Sequence, residues 1–253
     1  MLQLDDVSVR IAGIPVLRNL SVELESAATY AVVGRNGAGK TTLLRTIMGF
    51  VAPHAGTLRL AGDDLSARAP YDRPALGVGY APEDRVMFPT LTVLANLRLP
   101  CEALGMAEID IDRRVREAVE AVPQIEEMLP RSAAALSGGQ GKMAALARAL
   151  MTGTRLLMVD EPFQGLAPAL ARQYAESLSR LFTLRPELCV VITESNRALL
   201  DRVDCRTLIL ERGELMRQDA PAAGAAHRHP PPHPHPHPYE GTTWDSSKER
   251  SPS

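Results

Sequence analysis

The octapeptide Gly34-Arg35-Asn36-Gly37-Ala38-Gly39-Lys40-Thr41 constrains this chain more than any other stretch. Its spacing suits a loop whose successive N–H groups curl around a phosphate. Before it, Thr29–Val33 is a compact apolar run that reads as a buried strand. After it, Lys40–Gly49 has helical spacing: Leu43, Leu44, Ile47 and Met48 are apolar, and Gly49 then Pro53 are stop signals. Strand, glycine loop and helix in that order aim the positive end of the helix at the same anion. Gly34 through Thr42 are therefore the expected phosphate contacts. Lys40 is expected to reach the β- and γ-phosphates of a nucleotide, and the Thr41 hydroxyl to ligate Mg²⁺. An ordinary glycine-rich turn would leave Lys40 without a purpose.

Two further motifs carry chemistry. Leu156-Leu157-Met158-Val159 runs into Asp160-Glu161-Pro162. A carboxylate closing an apolar strand can hold the shell of the metal, the role expected of Asp160. Its neighbour Glu161 can orient and polarise an attacking water as general base. Taken alone, an acidic pair at a strand end usually starts a loop; downstream of a phosphate loop it means more. The third motif, Leu136-Ser137-Gly138-Gly139-Gln140, precedes a long amphipathic helix. Ser137 and the N–H groups of Gly138 and Gly139 at that helix start make a second anion site.

The flanking texture sets these motifs in an α/β frame. Leu2, Leu4, Val7, Val9 and Ile11 alternate with polar residues, as in half-buried strands. Between about Asp84 and Arg131, Pro89, Pro100, Pro123 and Pro130 punctuate helically spaced segments, among them Ile111–Val122, which reads as a small helical insertion. Thereafter the pattern predicts a helix over Gly139–Met151, a strand over Arg155–Val159, a helix over Pro168–Leu184 and a strand over Leu188–Thr193. A final hairpin pairs Thr207–Leu210 with Glu214–Met216 around Gly213. Strands alternating with helices imply a largely parallel sheet with the phosphate loop at the carboxyl end of a strand. The stretch 219–253, with its His-Pro repeats, has too little apolar content to bury a core and is expected to be a disordered tail beyond a domain of residues 1–218.

Bulk properties narrow the function classes. A formal net charge of -2 without a lysine- or arginine-rich block gives no electrostatic support to a nucleic-acid partner. Cys101, Cys189 and Cys205 are widely spaced and odd in number, as expected of reduced thiols. The N-terminus lacks the apolar core of a signal peptide. No apolar run approaches the ~20 residues of a membrane span, so a membrane role would run through a partner.

The three motifs in this order resemble the ATP-binding-cassette ATPases, and the resemblance covers residues 2–218. It implies an α/β P-loop NTPase fold: a mainly parallel sheet core, an N-terminal antiparallel β subdomain and a small helical insertion at about residues 84–136. It implies ATP and Mg²⁺ as ligands. It also implies that Leu136–Gln140 closes over the γ-phosphate held by a second ATPase subunit, either a copy or a sister chain. Gly79-Tyr80-Ala81-Pro82-Glu83, Phe88–Val93 with Asn96-Leu97, Gly165–Pro168 and Thr193–Asn196 are similar to the ATPase subunits of branched-chain amino acid importers and of related urea and amide importers. That branch implies transmembrane permease partners, indirectly a solute-binding protein, and a peripheral position on the cytoplasmic face of the inner membrane. The competing reading is a soluble cassette ATPase acting on nucleic acid or ribosomes, which usually carries tandem cassettes, long insertions or basic arms.

Three positions depart from the wider family pattern. Where an aromatic residue usually stacks on adenine the chain has Ile11, which offers plain apolar contact. The usual glutamine contacting metal, water and membrane partner is Glu83. The usual switch histidine aligns with Ser195, whose hydroxyl can bond a phosphate but carries no charge. The clustered tail histidines could bind Ni²⁺, Cu²⁺ or Zn²⁺, but alternating prolines favour a passive solvated tail.

Overall fold

The computed structural model describes residues 1–84 and 87–219. Apart from Asp219, the expected tail lies outside the described residues. In chain order the elements are β1 (Leu2–Ile11), β2 (Ile14–Leu24), β3 (Ala28–Val33), α1 (Lys40–Ile47), β4 (Ala55–Leu60), β5 (Asp63–Asp64) and β6 (Val78–Ala81). There follow α2 (Val93–Ala103), α3 (Glu108–Ala121), α4 (Gly138–Thr152), β7 (Leu156–Asp160), α5 (Pro168–Leu184), β8 (Cys189–Glu194), β9 (Arg206–Glu211) and β10 (Glu214–Asp219).

The strands form two sheets. An antiparallel sheet has the order β2-β1-β4-β5, and a six-stranded sheet the order β10-β9-β3-β8-β7-β6. In the latter all pairings are parallel except β10 with β9. This is the mainly parallel core with an N-terminal antiparallel subdomain that the motif order predicts.

The parallel strands are buried on both faces, and their side chains alternate between two cores. Tyr30 and Val32 of β3, Leu156 and Met158 of β7, and Val191 of β8 face the antiparallel sheet and α1. Ala31, Leu157, Val159, Val190 and Ile192 face the helical layer instead. That second core takes Val93 and Leu97 from α2, Ile111 and Ala118 from α3, Leu146 and Leu150 from α4, and Leu178 from α5. Small alanines at 144, 147 and 149 let α4 lie close to β6 and β7.

One expectation needs correction in detail. Pro100 does not break its segment but sits inside α2, seven residues past its start. Thr92 caps that helix by accepting from the Ala95 N–H, and Asn96 is completely buried within it. The Asn96 side chain accepts from Phe88 N–H and donates to the carbonyls of Phe88 and Thr92. Local side-chain bonding and packing therefore offset the helix penalty of the proline.

The helix behind the phosphate loop is anchored by a buried cation. Arg73, only 2% exposed, donates to the carbonyls of Thr46, Ile47, Leu65 and Arg68. It thereby satisfies carbonyls at the C-terminal end of α1, where positive charge also meets the negative end of the helix dipole. Burial pushes its pKa down, yet the fork of donors keeps the cation useful. Replacing it by methionine should cost about 3 kcal/mol, because several buried carbonyls lose charged donors. Urea unfolding of Arg73→Met checks this, and a loss below about 0.5 kcal/mol would contradict the anchoring role.

Candidate active site

The parallel register brings three strand ends to one edge. Val33 of β3 lies opposite Glu194 of β8, and Asp160 of β7 opposite Thr193. The glycine loop leaves β3, the acidic pair leaves β7, and Ser195 follows β8. The loop itself is tightly fitted. A Cβ on Gly34 would stand 2.3 Å from the Leu210 carbonyl oxygen, and Gly39 has a φ of +109° that favours glycine.

Lys40 turns back into the loop. Its ammonium donates to the carbonyls of Gly34 at 2.7 Å and Arg35 at 3.3 Å. It also pairs with Glu161 Oε1 at 3.0 Å, both side chains being under 10% exposed at 4% and 7%. The other oxygen, Oε2, accepts from the Ser195 hydroxyl at 2.9 Å. With its amide nitrogen facing the carboxylates, Gln164 donates to Glu161 Oε2 at 3.1 Å and to Glu83 Oε1 at 2.9 Å.

Glu161 sits in left-handed backbone at φ +46°, unusual for a side chain other than glycine. Its peptide is held on both sides. The N–H donates to the Thr193 carbonyl and hydroxyl, each at 3.1 Å, and the carbonyl accepts from Lys142 at 2.6 Å. Lys142 also donates to the Gln164 carbonyl at 2.9 Å. Backbone strain at a site residue, restrained by its surroundings, is common at working sites.

Asp160 is turned toward the sheet. Its Oδ1 accepts from the Thr193 hydroxyl and its Oδ2 from the Tyr80 hydroxyl at 3.2 Å. Burial and the adjacent Asp160 charge push the Tyr80 phenol well above its ordinary pKa, so the hydroxyl stays a donor.

A cavity of about 500 Å³ opens over these groups. Lys40, Thr41, Thr42, Glu83, Glu161 and Gln164 line its polar floor, while Ile11, Ile14 and Val16 supply an apolar wall. Asn36, Gly37 and Gly39 also reach it. Arg35, Ala38 and Ser195 line a neighbouring cavity of about 540 Å³. Asp160 borders neither, and Leu136–Gln140 do not line either one. Leu136 borders a third cavity with Glu83 and Lys142. The start of α4 is built as expected of a helix cap: Ser137 accepts from Gln140 N–H and Gln140 reaches back to Ser137 N–H.

Two carboxyl groups here hold protons more tightly than usual. Burial raises Glu83, and the charges of Glu161 and Asp160 add to the effect. Glu194, fully buried, accepts from Phe163 N–H at 2.9 Å through one oxygen, while its second oxygen has no partner. Burial first, then the charge of Glu161, pushes it up to about 7. The cysteines are remote from this chemistry, and burial raises Cys189 to about 12 and Cys205 to about 11.

The sequence motifs did not assign Thr193, Lys142, Gln164 or Glu194, nor the Tyr80 hydroxyl. Glu194 had one signal, a carboxylate following an apolar strand directly. Lys142 had none, since its two carbonyl partners lie 19 and 22 residues away.

Among the described residues, no cluster of three or more His, Cys, Asp or Glu side chains is arranged to enclose a metal. Mg²⁺ needs no such cage, since it retains waters and binds through one or two protein oxygens plus phosphates. The hard oxygens of Thr41 and the carboxylates beside it fit that donor set.

Comparison with known proteins agrees with this geometry. A family model described as "ABC transporter" matches residues 17–164. The high-affinity branched-chain amino acid transport ATP-binding protein BraG of Pseudomonas aeruginosa is 33% identical over 226 residues, covering 88% of this chain and 94% of that one. The probable branched-chain amino acid transport ATP-binding protein LivF of Archaeoglobus fulgidus is 33% identical over 184 residues, covering 72% and 75%. The dimeric structure of MJ0796, a bacterial ABC transporter cassette, superposes with a TM-score of 0.75 at 22% identity, covering 87% of this chain and 98% of that one. The chain belongs to the ABC transporter family, as an ATP-binding, ATP-hydrolysing subunit.

The raised Glu194 pKa has a definite sign. The folded state keeps its proton where the unfolded chain would release it. The resulting stabilisation is complete below the ordinary carboxyl value of 4.5 and is lost as pH rises through about 7. Glu194→Gln should flatten the fall in melting temperature between roughly pH 5 and pH 8, raising it at the alkaline end by roughly 5 °C. Calorimetry across that range checks this, and equal slopes for variant and wild type would contradict it.

Proposed function

We propose that this chain is the motor subunit of an importer of the branched-chain amino acid, urea or amide class, working as one half of a two-subunit ATP sandwich. The observation that carries the coupling is Tyr80. Its ring lines an apolar groove of about 590 Å³ together with Phe50, Phe88, Leu99, Pro100 and Arg148, while its hydroxyl bonds Asp160. Phe50 and Phe88 are 57% and 53% exposed, an arrangement suited to a helix or loop from a membrane permease. Among the described residues no helix is long and apolar enough to cross a membrane, which agrees with a separate permease. The similarity to BraG and LivF supports the solute class.

The proposed roles are these. Gly34–Thr42 cradle the phosphates, and Ile11 with Ile14 and Val16 packs against the base. Thr41 and Asp160 would hold Mg²⁺, which neutralises phosphate charge when bound. Lys40 is paired with Glu161. Phosphate oxygens compete for that ammonium, and its transfer releases the Glu161 carboxylate to accept a proton from an attacking water. Ser195 holds the second oxygen of Glu161 and faces the glycine loop, keeping the base oriented. Glu83, exposed and linked to the base by Gln164, senses the site from the permease side. Leu136, Ser137, Gly138, Gly139 and Gln140 serve the nucleotide of the opposite subunit, a copy or a sister chain.

The test is reconstitution of the chain with candidate permeases and a solute-binding protein in proteoliposomes. Leucine, urea or a short amide should stimulate hydrolysis several-fold. Phe50→Glu with Phe88→Glu should abolish permease co-purification while leaving basal hydrolysis within about twofold, since neither ring lines the nucleotide cavity. Hydrolysis stimulated by RNA or DNA, with no membrane protein retained, would favour the nucleic-acid reading.

A further inference from the structure

Lys142 belongs to α4 yet spends its charge elsewhere. It lies two residues beyond Gln140, within the second turn of the helix whose first residues form the Ser137–Gln140 cap. Its ammonium crosses to the loop after β7 and donates to the carbonyls of Glu161 and Gln164. Its positive charge also lowers the proton affinity of Glu83 and Glu194, offsetting part of what burial imposes on each. One side chain thus touches, through bonds or field, the peptide of the proposed base and two carboxyl groups beside it.

Three features make this more than a surface contact. First, the Glu161 peptide is strained and needs restraint, and among the described residues Lys142 supplies the bond to its carbonyl at 2.6 Å. Second, a charged donor to two carbonyls is stronger and more directional than a neutral one. Third, the cation is anchored in a helix that is otherwise tightly packed, with Met143, Ala144, Leu146 and Ala147 all buried. A displacement at the start of α4 moves the Lys142 stem with it, because close-packed helices shift as units.

We infer that Lys142 is a positioning residue that ties the Ser137–Gln140 helix to the Glu161 backbone, so that engagement of the opposite subunit's ATP sets the geometry of this subunit's own base. The inference rests on the two-subunit reading above. In that sandwich the start of α4 serves one nucleotide and Glu161 the other. A charge-assisted hydrogen-bonded strut between them couples the two sites within one chain, and each site then reports its occupancy to the other. Lys142 touches no reacting atom; it acts through the peptide that carries the base.

The experiment is steady-state hydrolysis by the full chain as a function of ATP, for wild type, Lys142→Met and Lys142→Arg, with nucleotide affinity measured in parallel using a fluorescent ATP analogue. The expected result for Lys142→Met is a fall in kcat of about tenfold, KM and analogue affinity within about twofold, and a Hill coefficient reduced toward 1. Lys142→Arg, which keeps a charged donor, should recover most of both kcat and cooperativity. Circular dichroism and melting temperature identify a variant that merely unfolds, and rescue by arginine excludes loss of packing as the cause. A cooperative wild type whose kcat and Hill coefficient are unchanged in Lys142→Met would overturn the strut while leaving the paired-site reading intact. Non-cooperative wild-type hydrolysis, both by the chain alone and with its sister subunit added, would overturn both.

Discussion

The parallel register of β3, β8 and β7 is the constraint on which the site depends. Pairing Val33 with Glu194 and Asp160 with Thr193 leaves three chain segments turning over the same sheet edge. A slip of one residue would exchange the two faces of a strand and move its apolar side chains between the two cores. Burial on both faces therefore fixes the register, and the register fixes which polar groups meet. The glycine loop, the acidic pair and Ser195 become neighbours because the two hydrophobic cores allow no other alignment.

Charge then decides the resting arrangement. Desolvation first, and then the charges of neighbouring carboxylates, raises the proton affinity of Glu83 and Glu194. Lys40 and Lys142 meet this negative charge at different points, one at the Glu161 carboxylate and the other at its peptide. A buried ion pair is costly to break unless a replacement partner is at hand. Phosphate is such a partner for Lys40, and the Ser195 hydroxyl holds the other oxygen of the Glu161 carboxylate. The pair thus presents incoming phosphates with a defined cation to capture.

The sequence was most informative where chemistry demands a local pattern. The glycine spacing of Gly34–Thr41 and the apolar strand ending at Asp160-Glu161 are contiguous, so their strand and helix context could be read directly. Pro168–Leu184 was equally plain, since proline at the first position of α5 and a strong apolar face mark it. Pro100 misled, because Asn96 bonds and groove packing override its local penalty. The Thr193, Tyr80 and Lys142 contacts were hidden for another reason. Each spans between 19 and 80 residues of chain and exists only once the sheet is assembled. The neutral tendency of Glu194 is likewise a property of burial, which no residue type declares by itself.

The central claim is that Glu161 becomes the base once phosphate has drawn Lys40 away from it. Single-turnover hydrolysis by Glu161→Gln, with ATP affinity measured on the same protein, tests it most directly. The account predicts a rate at least about 100-fold below wild type with ATP affinity within a few-fold, since the glutamine keeps the shape but cannot take a proton. Hydrolysis near the wild-type rate would contradict it.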